Sequence, residues 1–384
     1  MMRALRMLGG VDWVLILSVF ALVVLGLATM KFFGPPAGAA EDYFFSRQLV
    51  WVLAGVTVFL ISVLADWSFL KTNSIFLLIL YFILVAALLF LIFYGKSVRG
   101  ASSWFQIKGL SIEPVELIKP ALVLVLAKYF SKRHIEIARF ARLAVSFIYV
   151  AIPAVLVATQ PDMGSAIVLV AIWLGMALAG GIKMRQLFFL LLSGAVLGLI
   201  LWSFVLLPYQ KTRIISFFDP ARDARGAGYH ALQSVIAIGS GGLFGKGVGY
   251  GTQSRLEFLP EHETDFIFAA FAEEWGFVGV LFLLFFLGVA LWRILLRGIY
   301  GESNFEKLYA AGLAIFIFFQ SAIHIGMNSG LLPITGLGMP FLSYGGSSLV
   351  SLFWALGILE SFSIRKRGIF LGSEGRFSEG ILGA

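Results

Sequence analysis

Apolar runs constrain this chain more than any other feature. Ten stretches are long and greasy enough to cross a bilayer: roughly 12–32, 49–67, 74–94, 115–130, 143–159, 164–181, 186–207, 266–291, 307–330 and 342–363. A crossing needs about 20 mainly apolar residues, coiled as a helix, because hydrocarbon offers no partner to a bare peptide group. Of 384 residues, 60% are hydrophobic and 13% charged, against about 25% charged in soluble domains. The chain is therefore expected to be an all-α polytopic membrane protein of about ten transmembrane helices. The fourth run is the least regular. The first follows two arginines as a signal peptide would, but it outlasts a cleavable apolar core and reads as a retained span.

Composition also excludes chemistry. There is no cysteine, so disulfides, thiolate metal sites and cysteine nucleophiles are ruled out. Four scattered histidines make no metal cluster, and the net charge of +8 forms no single basic stripe, which argues against a nucleic-acid partner.

An even span count puts both ends on one side. Lysine and arginine choose that side. Arg3, Arg6, Lys71, Lys128, Lys132, Arg133, Lys183, Arg185, Arg293, Arg297, Arg365, Lys366 and Arg367 fall in one set of short ends and loops, expected to be cytoplasmic. The opposite set holds one large extracytoplasmic loop, 208–265, with balanced charge. No polar stretch reaches the size of a soluble domain. The chain thus reads as one transmembrane domain over 1–367, then a short polar, glycine-bearing cytoplasmic tail, 368–384, expected to be disordered.

Carboxylates crowd the outer ends of these spans. FLPEHETDFIFAAFAEEWG, Phe258–Gly276, sets Glu261, Glu263 and Asp265 just before a span and Glu273 and Glu274 inside it. Asp265 suits either a helix N-cap or a free carboxylate that takes a proton or holds a cation. A cap needs one carboxylate, and three within five residues favour a polar site. Glu273 and Glu274 read either as site groups or as hydrogen-bonded structural acids. In GASSWFQIKGLSIEPVELIKPALVLVLAKYF, Gly100–Phe130, Pro114 suits a first helical turn and Pro120 is expected to break the helix, giving a short half-helix near 114–120. Glu116 and Lys119 are spaced to pair, below an aromatic loop holding Trp104 and Lys108. Asp162, in ATQPDMGS, is a cap or a further outer carboxylate. AIGSGGLFGKGVGYG fails as a nucleotide loop, since Ser240 stands where the first glycine is needed and Gly247 follows Lys246. Lys246 is left as a candidate phosphate contact, and no nucleotide or organic cofactor is expected. ITGLGMPFLSYGGSSLV, Ile334–Val350, is uncharged and reads as a close-packed outer connection. Together these segments suit a lipid with an anionic head.

GASSWFQIKGLSIEPVELIKP, QPDMGSA, GYGTQSRLEFLPEHETDFIFAAFAEEWGFVG and GLGMPFLSYGGSS, in that order, resemble the signature segments of the SEDS family, the shape, elongation, division and sporulation proteins. The resemblance covers Asp12 to Arg367. The short amino terminus and the Asp-Trp opening are more similar to the rod-shape branch than to the division branch. It implies a peptidoglycan glycosyltransferase that polymerises lipid II into β-1,4 glycan on the outer face of the bacterial cytoplasmic (inner) membrane, during elongation and rod-shape maintenance. It places the family's essential aspartate at Asp265, as general base of an inverting reaction with undecaprenyl pyrophosphate leaving. It matches Trp104, Glu116, Lys119 and Asp162 to family positions. Lys119, Arg213, Lys108 or a divalent cation (Mg or Mn) would steady the leaving group. Glu261, Glu263 and Asp265 are the candidate ion ligands, and Glu273 and Glu274 candidate support. Glu113 departs from the glutamine expected in relatives. Implied partners are a class B penicillin-binding transpeptidase and other elongation-complex membrane proteins. The competing readings are a lipid II flippase and a non-catalytic scaffold.

Overall fold

A computed structural model of the chain describes residues 9–34, 42–95, 104–107, 110–132, 140–223, 226–256, 258–259 and 261–379. Eight of its helices are long and apolar enough to cross a membrane. They are α1 (Trp13–Met30), α2 (Tyr43–Leu64), α3 (Ser74–Tyr94), α5 (Phe140–Thr159), α7 (Met184–Ile200, continued to Phe204), α11 (Ile267–Ile299), α12 (Asn304–Asn328) and α13 (Gly346–Glu379). Two further helices fill the remaining expected spans. α4 (Pro114–Ser131) has the length but carries Glu116, Lys119 and Lys128, and α6 (Met163–Ala179) is a shorter apolar helix. The chain is a multi-pass, almost wholly helical membrane protein.

Packing follows the sequence pattern. α4 is the axis of the bundle, with nearly every side chain buried against α3, α12 and α6. α13 lies along α2, and α11 along α1, α12 and α9. α7 stands at the edge: Gln186 is its one buried residue among those described, and its apolar side chains face outward all round. Lipid is the only solvent in which such a helix is stable.

Both ends of the bundle meet at one face. Asp12 caps α1 by accepting from the Leu15 N–H, while its own N–H donates to Glu360 on α13 at 3.0 Å. Arg293 and Arg297 on α11 complete the knot, at 2.6 Å from Asp12 and 2.9 Å from Glu360. This is the face that the basic residues assign to the cytoplasm. Beyond Arg365 the backbone of α13 stays helical to Glu379, where the sequence reading begins a disordered tail.

Two local expectations are corrected. Pro120 does not break α4, which runs continuously from Pro114 to Ser131. Tertiary burial on all sides holds the helix through the one backbone bond that proline removes. The break comes instead inside α11, at Gly276 (φ 66°, ψ −170°). There the exposed backbone groups are taken up by the glycine-rich segment after α9 (Ala227–Gly241). Lys246 and Gly247 N–H donate to the Glu273 and Glu274 carbonyls, and Phe277 and Val278 N–H donate to the Gly242 and Leu243 carbonyls. A Cβ on Gly276 would sit 2.2 Å from the Gly245 nitrogen, so both strands of this patch need glycine. Finally, the outer segments are more ordered than loops. The 208–265 region contains α8 (Pro208–Phe218), α9 and the short α10 (Thr252–Arg255), and residues ahead of α4 form a small antiparallel hairpin, β1 (Phe105–Ile107) and β2 (Leu110–Ile112).

Candidate active site

Asp265 lies in a tight turn just before α11. The turn coils around one atom: the Glu261 carbonyl accepts from the N–H groups of Thr264, Asp265 and Phe266, at 3.0–3.1 Å. Glu261 reaches that position with φ 52°, an uncommon conformation for a residue with a side chain. Three successive carbonyls of the turn are then held from outside. The Glu263 carbonyl accepts from the Tyr344 N–H, the Thr264 carbonyl from the Ser343 hydroxyl and the Asp265 carbonyl from the Asn328 amide, each at 2.9 Å. The residue at the N-cap position of α11 is Phe266, with no side-chain cap. The Asp265 carboxylate is therefore not spent on capping and faces a cavity.

That cavity encloses about 920 Å³. The turn before α11, the entry to α4, the α5–α6 junction, the start of α2, α8, α9 and the segment 335–349 all contribute to its wall. It gathers five acids: Glu113, Glu116, Asp162, Glu261 and Asp265. Trp104, Arg47, Arg213 and His230 line it as well. Phe341, also in the wall, has φ 64°. Non-glycine residues held in that region concentrate at functional sites.

Burial decides how these acids ionise. Burial, reinforced by the negative charge of Glu261, pushes Asp265 up to about 7, although a Thr264 hydrogen bond opposes this. Glu113 is pushed well above the usual carboxylate range, by burial first and then by Glu116 and Asp162; Lys119 and a hydrogen bond from Trp104 pull the other way. Asp162 is raised by burial, against the pull of Lys119 and the Ser165 hydrogen bonds. Its carboxylate also caps α6, accepting from the Ser165 N–H at 2.9 Å. So Asp162 is both a cap and a cavity group. With its charged form disfavoured by burial, Glu113 in its protonated form offers the donor that an amide would offer at that place.

Other candidates sit elsewhere. Lys119 is fully buried beneath the wall. It pairs with Glu116 at 2.6 Å, as its spacing predicts, and donates to Gln320 at 3.1 Å. It holds Glu116, whose second oxygen is buried without a hydrogen-bond partner. Lys246 pairs with Glu273 at 2.7 Å, and that carboxylate also accepts from the N–H groups of Thr252 and Gln253. Glu273 is thus a structural anchor for α10. Glu274 and Glu263 are buried outside the cavity wall, Glu263 lying 3.9 Å from His262. Lys108 lies outside the described residues. Among the described residues no three acids or histidines are arranged to hold a metal ion, and the trio Glu261, Glu263 and Asp265 is split by the turn.

Sequence reasoning missed Arg47, His230, Tyr344, Ser343 and Asn328. Only Arg47 carried a signal, a cation at the outer end of a span, against the basic bias of the inner side.

The sequence profile described as cell cycle protein, FtsW/RodA/SpoVE, matches residues 11–368. The chain belongs to this family. It is 37% identical to the peptidoglycan glycosyltransferase MrdB of Escherichia coli K12 over 288 residues, 75% of this chain and 78% of that protein. It is 35% identical to the probable peptidoglycan glycosyltransferase FtsW of Bacillus subtilis over 376 residues, 94% of this chain and 92% of the relative. Its fold is similar to a solved chain described under "Structural coordination of polymerization and crosslinking by a peptidoglycan synthase complex", with TM-score 0.77, 28% identity, and 93% and 98% coverage. It is also similar to the rod shape determining protein RodA of Thermus thermophilus, with TM-score 0.67, 27% identity, and 92% and 96% coverage. In this FtsW/RodA/SpoVE chain the matched region contains every wall segment of the cavity.

Proposed function

We propose that this chain is a peptidoglycan glycosyltransferase that polymerises lipid II at the outer face of a bacterial cytoplasmic membrane, in cell elongation. The observation that carries the reading is Asp265: a carboxylate excused from capping, fixed by its backbone, facing a large cavity, and held near neutrality. A general base works best with such a pKa, because it is ionised often enough and still basic enough to take a proton.

In the reaction, Asp265 takes the proton of the acceptor GlcNAc 4-hydroxyl as that oxygen attacks C1 of the donor MurNAc. The bond from C1 to the pyrophosphate oxygen breaks, and its electron pair leaves with undecaprenyl pyrophosphate. One displacement turns the α-linked donor into a β-1,4 product. Arg213 and Arg47, cations that line the wall, would meet the growing charge of the leaving group. Five ionised acids would repel a pyrophosphate. Burial disfavours the charged forms of Glu113 and Asp162, which lessens that repulsion. Trp104 offers a flat apolar face to a sugar ring. The partner proposed is a class B penicillin-binding transpeptidase, supported by the likeness to a chain of a peptidoglycan synthase complex.

The test is lipid II polymerisation by the purified chain with its transpeptidase partner, moenomycin present, for wild type and Asp265→Asn. Glycan from wild type and a fall of about 10²–10⁴-fold in a folded variant is expected. No glycan from an intact wild-type complex would return the weight to a flippase or scaffold.

A further inference from the structure

We propose that Asn328 is the positioning residue that aims Asp265 into the cavity, by inserting its side-chain amide into the first turn of α11. Asn328 ends α12 and is fully buried. Its Nδ2 donates to the Asp265 carbonyl at 2.9 Å, and its Oδ1 accepts from the Ala269 N–H at 3.1 Å. In an uninterrupted helix those two backbone groups would bond to each other, N–H of residue i to carbonyl of i−4. The amide stands between them as a surrogate peptide, satisfying one donor and one acceptor. A side chain wedged into this ladder bends the chain at that point. Here the next bond down the ladder, Ala270 N–H to the Phe266 carbonyl, is present at 3.1 Å. The regular helix thus starts at Ile267 with Phe266 as its N-cap, and Asp265 belongs to the turn.

The clamp is itself immobilised. Asn328 Nδ2 also donates to the His324 carbonyl at 2.9 Å, which fixes the amide's orientation, since the reverse one would set NH₂ against the Ala269 N–H. The Asn328 carbonyl accepts from Ser234 on α9 at 2.8 Å. One turn earlier on α12, His324 bonds the Leu337 carbonyl at 2.6 Å, and a further turn back Gln320 donates to the Gly338 carbonyl at 3.0 Å. One face of α12 therefore holds both the Asp265 turn and the neighbouring 337–338 segment of the cavity wall. No other side chain of the appropriate shape carries a donor and an acceptor that distance apart. Aspartate keeps the acceptor and loses the donor, while alanine loses both.

The proposal rests on Asp265 being the base. Two readouts separate it from that reading. The first is catalytic: kcat and KM for glycan synthesis by the full complex, for wild type, Asn328→Asp, Asn328→Ala and Asp265→Asn. The second needs no substrate: hydrogen exchange of backbone amides in 261–270. Asn328→Ala is expected to lower kcat about 100-fold, the cost of displacing a reacting group by an ångström, with KM held. The Ala269 amide is expected to exchange at a changed rate while the cores of α11 and α12 stay protected. Asn328→Asp is expected to fall between wild type and Asn328→Ala. Activity within a few-fold of wild type in folded Asn328→Ala, or unchanged exchange in 261–270, would overturn the proposal. So would failure of both variants to fold, because Asn328 would then hold the bundle rather than aim one residue. Inactive wild type with changed exchange would sink the glycosyltransferase reading and leave the placement of the turn standing.

Discussion

At the scale of single residues, the site works by withholding partners. Asp265 is denied a capping role, and Glu116 has one oxygen on Lys119 and one on nothing. Glu113 illustrates what burial does to an apparent departure. As a charged acid it would add repulsion beside a pyrophosphate, but burial disfavours that charge, and its protonated form matches an amide. Glu113→Gln is therefore expected to keep polymerisation at neutral pH within about twofold of wild type, since donor and acceptor are both retained. Steady-state rates at saturating lipid II would show it; a large loss would mean that the ionised form is needed. Arg213→Ala should lower kcat about 10²–10³-fold if the guanidinium meets the leaving group, as lost oxyanion donors do. A rise in KM alone would limit Arg213 to substrate capture. Asp265, Glu116 and Asp162 were legible in the sequence because acids at the mouth of a span demand a reason. Asn328 was not, because an asparagine ending a helix looks like any helix end until its partners are known.

At the scale of elements, the ten apolar runs located the helices well because each run must satisfy its backbone within itself. What periodicity did not show is where a helix yields. Pro120 looks like a break and is held through by the packing around α4. Gly276 looks harmless and is the break, because the glycine-rich segment 242–247 supplies the missing hydrogen bonds. The segment that imitates a phosphate loop is thus a backbone patch. Gly276→Ala is expected to destabilise the protein by at least about 3 kcal/mol, since its φ and ψ belong to glycine and the new methyl meets the Gly245 backbone. Thermal unfolding in detergent would report it, and an unchanged melting temperature would mean that the patch is pliable.

At the scale of the whole molecule, the two membrane faces do different jobs. The face that the basic residues assign to the cytoplasm is tied by Asp12, Glu360, Arg293 and Arg297, which join the first, eleventh and last helices in one buried ion network. Removing one member of such a network strands a charge and costs about 3–5 kcal/mol. Arg297→Ala should lower the melting temperature without changing the rate per folded molecule; a loss of rate with normal melting would tie this face to catalysis. The opposite face holds the cavity, and it is the one that the basic bias assigns to the outside. Its shape was not legible, because it depends on α8, α9 and the small hairpin, in regions that read as loops.

The most direct measurement of the central claim is the pH dependence of kcat/KM for lipid II polymerisation, in wild type and Glu261→Gln. Asp265 must be ionised to accept a proton, so the wild-type rate should rise with pH through about 7 and then level. The Glu261 carboxylate holds that pKa up, so removing its charge should move the rising limb to lower pH. A wild-type rate that is flat across this range, or a limb that Glu261→Gln leaves in place or moves upward, would contradict Asp265 as the base.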